Sequence, residues 1–176
     1  AVNCALALDA FGEEFRLAQE EKGIPFGMTR IGVNTGRAVV GNFGGNSRFD
    51  YTAHGDTINT AARLESVNKH LGTRICIGES TVAQCQHVHF RPVGNLILKG
   101  KTEAIGAFQP VTKAFSDSNH MVDYLEVYEA INSNDQSAAD KIKRLIDKYP
   151  DDALAKFHAN RYANGESGAT VILKDK

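Results

Sequence analysis

The run from Arg48 to Glu65, RFDYTAHGDTINTAARLE, joins a polar turn to an acidic helix start. Gly55 ends the turn, and Asp56 is expected to cap the helix that follows. Ile58, Ala61, Leu64, Val67 and Leu71 recur at helical spacing and are expected to face the core. Asn59 and Arg63 fall one turn apart on a neighbouring stripe, so a rigid helix can present both to one ligand. An ordinary amphipathic helix more often carries Lys and Glu on such a stripe.

The flanking sequence predicts alternating helices and strands. A first helix is expected over Val2–Glu21, with Leu6, Ala10, Phe15 and Ala18 available for burial, and it stops at Lys22-Gly23-Ile24-Pro25. Met28 to Asn34 alternates as a half-buried strand, Asn34-Thr35-Gly36 reads as a turn, and Arg37 to Phe43 returns as the hairpin partner. Gly44-Gly45-Asn46-Ser47 reads as a loop. After the central helix come a strand over Thr73–Ile77 and a short helix over Glu79–Gln84. Strands follow over His87–Pro92 and Leu96–Leu98, and a last strand over Ala104–Val111 closes the sheet edge. This order suits an α+β layer with helices on one sheet face.

The pattern changes near residue 116. Val122, Leu125, Tyr128 and Ile131 fit one helix, and Ile142, Leu145, Ile146 and Tyr149 fit a second. Tyr149-Pro150-Asp151-Asp152 breaks the chain and caps a third helix with Leu154, Phe157 and Tyr162, after which Ala169 to Leu173 forms a terminal strand. The helices resemble one tetratricopeptide-style hairpin. Such a unit cannot bury its face alone, so it is expected to pack on the preceding core or on a protein partner. The division expected is 1–115 and a helical C-terminal extension over 116–176.

At 176 residues and 42% hydrophobic content the chain can bury one sizeable core. A net charge of -1, with no block of like charge, argues against nucleic acid as the main partner. Cys4, Cys76 and Cys85 form no C-x-x-C pair and read as reduced thiols. With no apolar run long enough to span a membrane and no signal peptide, a cytoplasmic location is expected, although a longer parent could be membrane-anchored. The chain starts within a helical pattern and without Met, which predicts a piece of a longer protein.

The central segment resembles the class III nucleotidyl cyclases, the adenylyl and guanylyl cyclases. Their pattern reads approximately R-x-D-Y-T-x-x-G-D-x-V-N-x-A-A-R-L-E, and this chain differs mainly by Ile58 for the Val. A second matching block, Arg30-Ile31-Gly32-Val33-Asn34-Thr35-Gly36-Arg37-Ala38-Val39-Val40-Gly41-Asn42, precedes it, and a third, Leu96-Ile97-Leu98-Lys99-Gly100-Lys101, follows. The resemblance implies a ferredoxin-like core with its N-terminal part missing. It also implies conversion of ATP to 3′,5′-cyclic AMP and pyrophosphate, at a site on a homodimer interface.

By resemblance, Arg63 stabilises the pentavalent transition state, a task that suits a fork of permanently charged donors. Asn59 orients the ribose through its ring oxygen, and Lys99, with Lys101 close by, grips the terminal phosphates. Thr52 takes the purine-contacting position, where Asp or Thr resembles adenylyl cyclases and Cys resembles guanylyl cyclases. The family's two metal-binding aspartates lie upstream of the matched region, so the Mg2+ or Mn2+ ions are expected to have no ligands in this chain. Asp9 and Asp50 do not occupy those positions. As it stands the chain is expected to be inactive alone, with activity in the full-length parent. A guanylyl cyclase and a non-catalytic cyclase-like regulatory domain are the alternatives.

Three weaker signals carry no function. Gly36-x4-Gly41 continues as Asn-Phe, without the Lys-Ser/Thr of a phosphate loop. His87 and His89, on one face of the expected strand, lack a third ligand. Phe11, Phe15 and Phe26 are read as core aromatics.

Overall fold

A computed structural model describes residues 1–45 and 48–172. The elements in order are α1 (Val2–Glu20), β1 (Ile31–Val33), β2 (Val39–Gly45), β3 (Arg48–His54), α2 (Asp56–Leu71), β4 (Ile75–Gly78), α3 (Glu79–Val82), β5 (His89–Ile97), β6 (Ile105–Val111), α4 (Lys113–Ser116), α5 (Asn119–Asn132), α6 (Ala138–Lys148), α7 (Ala153–Ala163) and β7 (Thr170–Ile172). This is the mixed α+β architecture that the sequence implies. Gly44 and Gly45, expected in a loop, belong to β2; Asn46, Ser47 and Leu173 lie outside the described residues.

Strand pairing departs from the expected hairpin. β1 does not pair with the segment that follows it. It runs parallel to β4, with Ile31 opposite Ile75 and Val33 opposite Ile77, while β2 pairs antiparallel with β3. The reason lies in burial. Ile31 and Val33 pack against the buried cluster that holds Ile75 and Ile77, whereas no described residue of β2 belongs to either core.

The main sheet has the order β1-β4-β6-β5-β7. β6 is thus an interior strand and not the edge that its place in the sequence suggests. β7 takes that edge, parallel to β5. The two strands expected over 87–98 are one strand, β5, with a register shift between Pro92 and Gly94. A proline without an N–H at this bulge fits the rule that strand prolines sit where the ladder is broken. His87 lies before β5 in a left-handed conformation (φ 65), so the expected pair of histidines on one strand face does not form.

Helices cover both sheet faces, and not one as expected. Cys76 joins a large core with α2, β5 and the C-terminal helices, while Ile75 and Ile77 join a smaller one with α1. Alternate residues of a strand point to opposite faces, so these cores lie on opposite sides of β4. Burial in α1 is confined to Val2 and Ala5 near its start, and Asp9 is tied to Arg74 at 2.7 Å. Ala10 and Phe15 are therefore exposed, against expectation. Phe11, Phe15 and Phe26 are a surface aromatic cluster, Phe15 and Phe26 meeting edge to face at 5.1 Å.

The helical segment after β6 does not stand alone. Met121, Tyr124, Val127, Ala130 and Ile131 form the buried face of α5, leaving Val122 and Leu125 on the surface. The Tyr124 hydroxyl donates to the Pro92 carbonyl at 2.7 Å, which turns this face toward β5. Ile142, Leu145 and Leu154 complete a single core with Leu64, Val67 and Leu71 of α2. Asp152 caps α7 by accepting from the Leu154 and Ala155 N–H groups at 3.0 and 3.2 Å.

Candidate functional site

α2 starts at Asp56, with Gly55 at the N-cap and no side-chain cap. Asp56 does not cap as expected, because its carboxylate pairs with Lys101 across the surface. Leu64, Val67 and Leu71 are buried as expected, but Ile58 is exposed and Ala61 only half-buried, with Thr60 and Asn68 buried instead. Close approach to β1 sets this rotation. A Cβ on Gly32 would lie 2.0 Å from the Ala61 carbonyl oxygen and 2.3 Å from the Glu65 nitrogen, so only glycine lets strand and helix touch there. Below that contact the Asn68 amide donates to the Ile31 carbonyl at 3.1 Å and accepts from the Thr73 hydroxyl at 2.7 Å, which accounts for a buried Asn in this helix.

On this fixed helix Asn59 is exposed and Arg63 half-buried, one turn apart. Lys99 follows Leu98, whose side chain is buried, in a tight turn closed by Lys101 N–H donating to the Leu98 carbonyl at 2.9 Å. Gly100 in this turn has φ +69, a conformation that favours glycine, and a Cβ there would lie 3.4 Å from Nη2 of Arg63. The Lys101–Asp56 pair ties the same turn to the first residue of α2.

The fold therefore sets the Lys99–Lys101 turn against the first half of α2, which carries Asn59 and Arg63. Thr52 is exposed on β3 opposite Gly41, in the separate two-stranded sheet, and is linked to the others through Gly55 and the start of α2. Three cations beside a neutral amide suit an anionic ligand with a polar head. Asn59 and Lys99 are exposed and Arg63 is half-buried, while Lys101 is paired with Asp56.

Among the described residues no group of three His, Cys, Asp or Glu side chains could hold a metal ion. No helix is long and apolar enough to cross a membrane. Cys4, Cys76 and Cys85 are free, and burial pushes the Cys76 thiol up to about 12, which makes it inert.

Sequence reasoning missed Gly32, Asn68 and the Asp56–Lys101 pair. A glycine or a polar amide within an apolar pattern is the only local trace of the first two. The last joins residues 45 apart in sequence and leaves no local trace.

The chain resembles known cyclases in sequence and in structure. It is 45% identical over 112 residues to adenylate cyclase 1 of Rhizobium meliloti (strain 1021), covering 63% of this chain and 17% of that protein. It is 35% identical over 107 residues to an adenylate cyclase of Anabaena cylindrica, covering 58% of this chain and 21% of that one. The chain thus spans about a fifth of the length of these relatives. The crystal structure of the adenylyl cyclase CyaB from P. aeruginosa superposes with a TM-score of 0.57 at 30% identity, over 64% of this chain and 58% of that one. The adenylate and guanylate cyclase catalytic domain family matches residues 1–111, the region that holds β1, α2 and the Lys99 turn, and the chain belongs to that family.

Proposed function

We propose that this chain is the part of an adenylyl cyclase that carries the nucleotide and transition-state contacts, acting on ATP at a homodimer interface in the full-length protein. Residues 1–115 are then a partial catalytic domain, and 116–176 an extension that packs on it. The observation that carries the reading is the meeting of Arg63 with the Lys99–Lys101 turn at Gly100.

In the reaction the ribose 3′-oxygen bonds to the α-phosphorus, the bond from that phosphorus to the pyrophosphate oxygen breaks, and the hydroxyl proton is lost. Negative charge builds on the phosphoryl oxygens and the leaving group. Arg63 offers two N–H groups to those oxygens while staying charged, and its place beside the turn lets Lys99 neutralise the terminal phosphates of the same ligand. Asn59, one turn before Arg63, donates to the ribose without adding charge, which holds the attacking hydroxyl in line. Thr52 accepts from the adenine amino group and favours ATP over GTP. The Mg2+ or Mn2+ ions of the family's reaction belong, in this reading, on residues outside this chain.

The test is cyclase turnover of the full-length protein on ATP and on GTP, beside an Arg63→Ala variant. Cyclic AMP formation that falls at least a hundredfold in the variant, about 2.7 kcal/mol of lost transition-state stabilisation, is the expected result. Turnover of GTP alone would reassign the purine position. Absence of turnover from a folded dimer would leave a binding domain.

A further inference from the structure

Asn34 stands at the end of β1 and faces two helices. Its amide nitrogen lies 3.0 Å from the Thr57 hydroxyl, which accepts from it, and 3.5 Å from the Thr57 carbonyl, in the first turn of α2. Its amide oxygen lies 3.1 Å from the Ser80 hydroxyl on α3, which also sits 2.9 Å from the Thr35 carbonyl. The packing around this bridge leaves no slack. A Cβ on Gly78 would fall 2.5 Å from the Asn34 amide oxygen, and one on Gly36 would fall 2.8 Å from the Thr57 hydroxyl oxygen.

The rest of α2 explains why this bridge matters. The body of the helix is set on β1 by Gly32 and its far end by Asn68. Its first turn begins without a side-chain cap, and in the Asp56–Lys101 pair the carboxylate is 74% exposed. Exposed pairs hold weakly. The inner side of that turn is held by Asn34 through Thr57, two residues before Asn59.

Resting on the reading of Asn59 and Arg63 given above, we propose that Asn34 is a positioning residue for the cyclase reaction. It acts through the Thr57 hydroxyl to fix the first turn of α2, and so the distance between Asn59 and the Lys99–Lys101 turn. Ser80 sets the direction in which the Asn34 amide points.

Two readouts test this. Amide exchange can be followed on this chain alone. Asn34→Ala and Thr57→Val should each speed exchange at Ile58 and Asn59 while amides near Leu71 keep their protection. In the full-length protein each variant should lower kcat about tenfold with the ATP KM changed less than twofold, because the lost contact serves orientation and not ground-state binding. The double variant should lose no more than the worse single one, and Thr57→Ser, which restores the hydroxyl, should recover turnover.

Arg63→Ala in the same assay separates the two readings. If Arg63→Ala turns over normally, the site assignment itself fails. If Arg63→Ala is inactive and folded Thr57→Val keeps the parent kcat, the positioning role of Asn34 is overturned while the site stands. Thr57→Val removes one oxygen and keeps the side-chain shape, so the test does not depend on Asn34→Ala folding.

Discussion

Arg91 of β5 and Asp152 at the start of α7, 61 residues apart, meet in a two-point ion pair at 2.8 and 3.1 Å inside the protein. Asp152 is also the cap of α7 and is reached by the His120 ring at 2.7 Å, while Arg91 lies over the Tyr124 ring at 4.8 Å. One carboxylate thus anchors the C-terminal helices to the sheet. Burial pushes its carboxyl up, but the Arg91 guanidinium and the α7 amide hold it below its usual range, so it stays charged.

Asp152→Ala should therefore destabilise the fold severely, by about 3–5 kcal/mol, because Arg91 is left charged and buried and α7 loses its cap. The urea midpoint of the variant measures this. Lys101→Ala, which breaks the exposed pair with Asp56, should cost no more than about 1 kcal/mol in the same experiment.

Gly32→Ala should prevent α2 from seating on β1, since the new methyl would meet backbone atoms that cannot move aside. Loss of the cooperative thermal transition is the expected outcome. Gly41→Ala is the contrast. No atom lies within 4 Å of a Cβ there, and the melting temperature should stay close to that of the parent.

Tyr124→Phe keeps the buried ring and removes the hydroxyl that donates to the Pro92 carbonyl. The loss should be about 1 kcal/mol, typical of one neutral hydrogen bond, and equilibrium unfolding would register it.

His158 is buried on α7 beside Arg161, and burial together with that positive charge lowers its pKa from 6.5 to about 3. The folded protein keeps this ring neutral, whereas the unfolded chain takes up a proton below pH 6.5. Stability from this group is complete above pH 6.5 and falls as pH drops toward 3, by up to about tenfold in the folding constant per pH unit. His158→Gln should flatten that part of the stability profile measured between pH 7 and pH 4.

Local sequence patterns decided much here. Leu64, Val67 and Leu71 at helical spacing marked the buried side of the second half of α2. Asn59 and Arg63 were legible for the same reason, being placed by the helix that carries them. The blocks around Arg30, Arg63 and Lys99 point to the cyclase family by sequence alone.

Tertiary structure decided what depends on contacts between distant residues. Whether Ile31 pairs with the next strand or with Ile75 is set by which strand has a buried face to share, and no local pattern holds that information. The exposure of Ile58 and Val122 followed from the approach of β1 at Gly32 and from the bond of Tyr124 to Pro92. Periodicity gives a helix its apolar side only to within one residue, and the neighbour that arrives sets the final rotation. The meeting of Arg63 with Gly100, and of Arg91 with Asp152, belongs to the same class. Each side chain is visible in the sequence, but the short distance between them exists only once the sheet has ordered its strands.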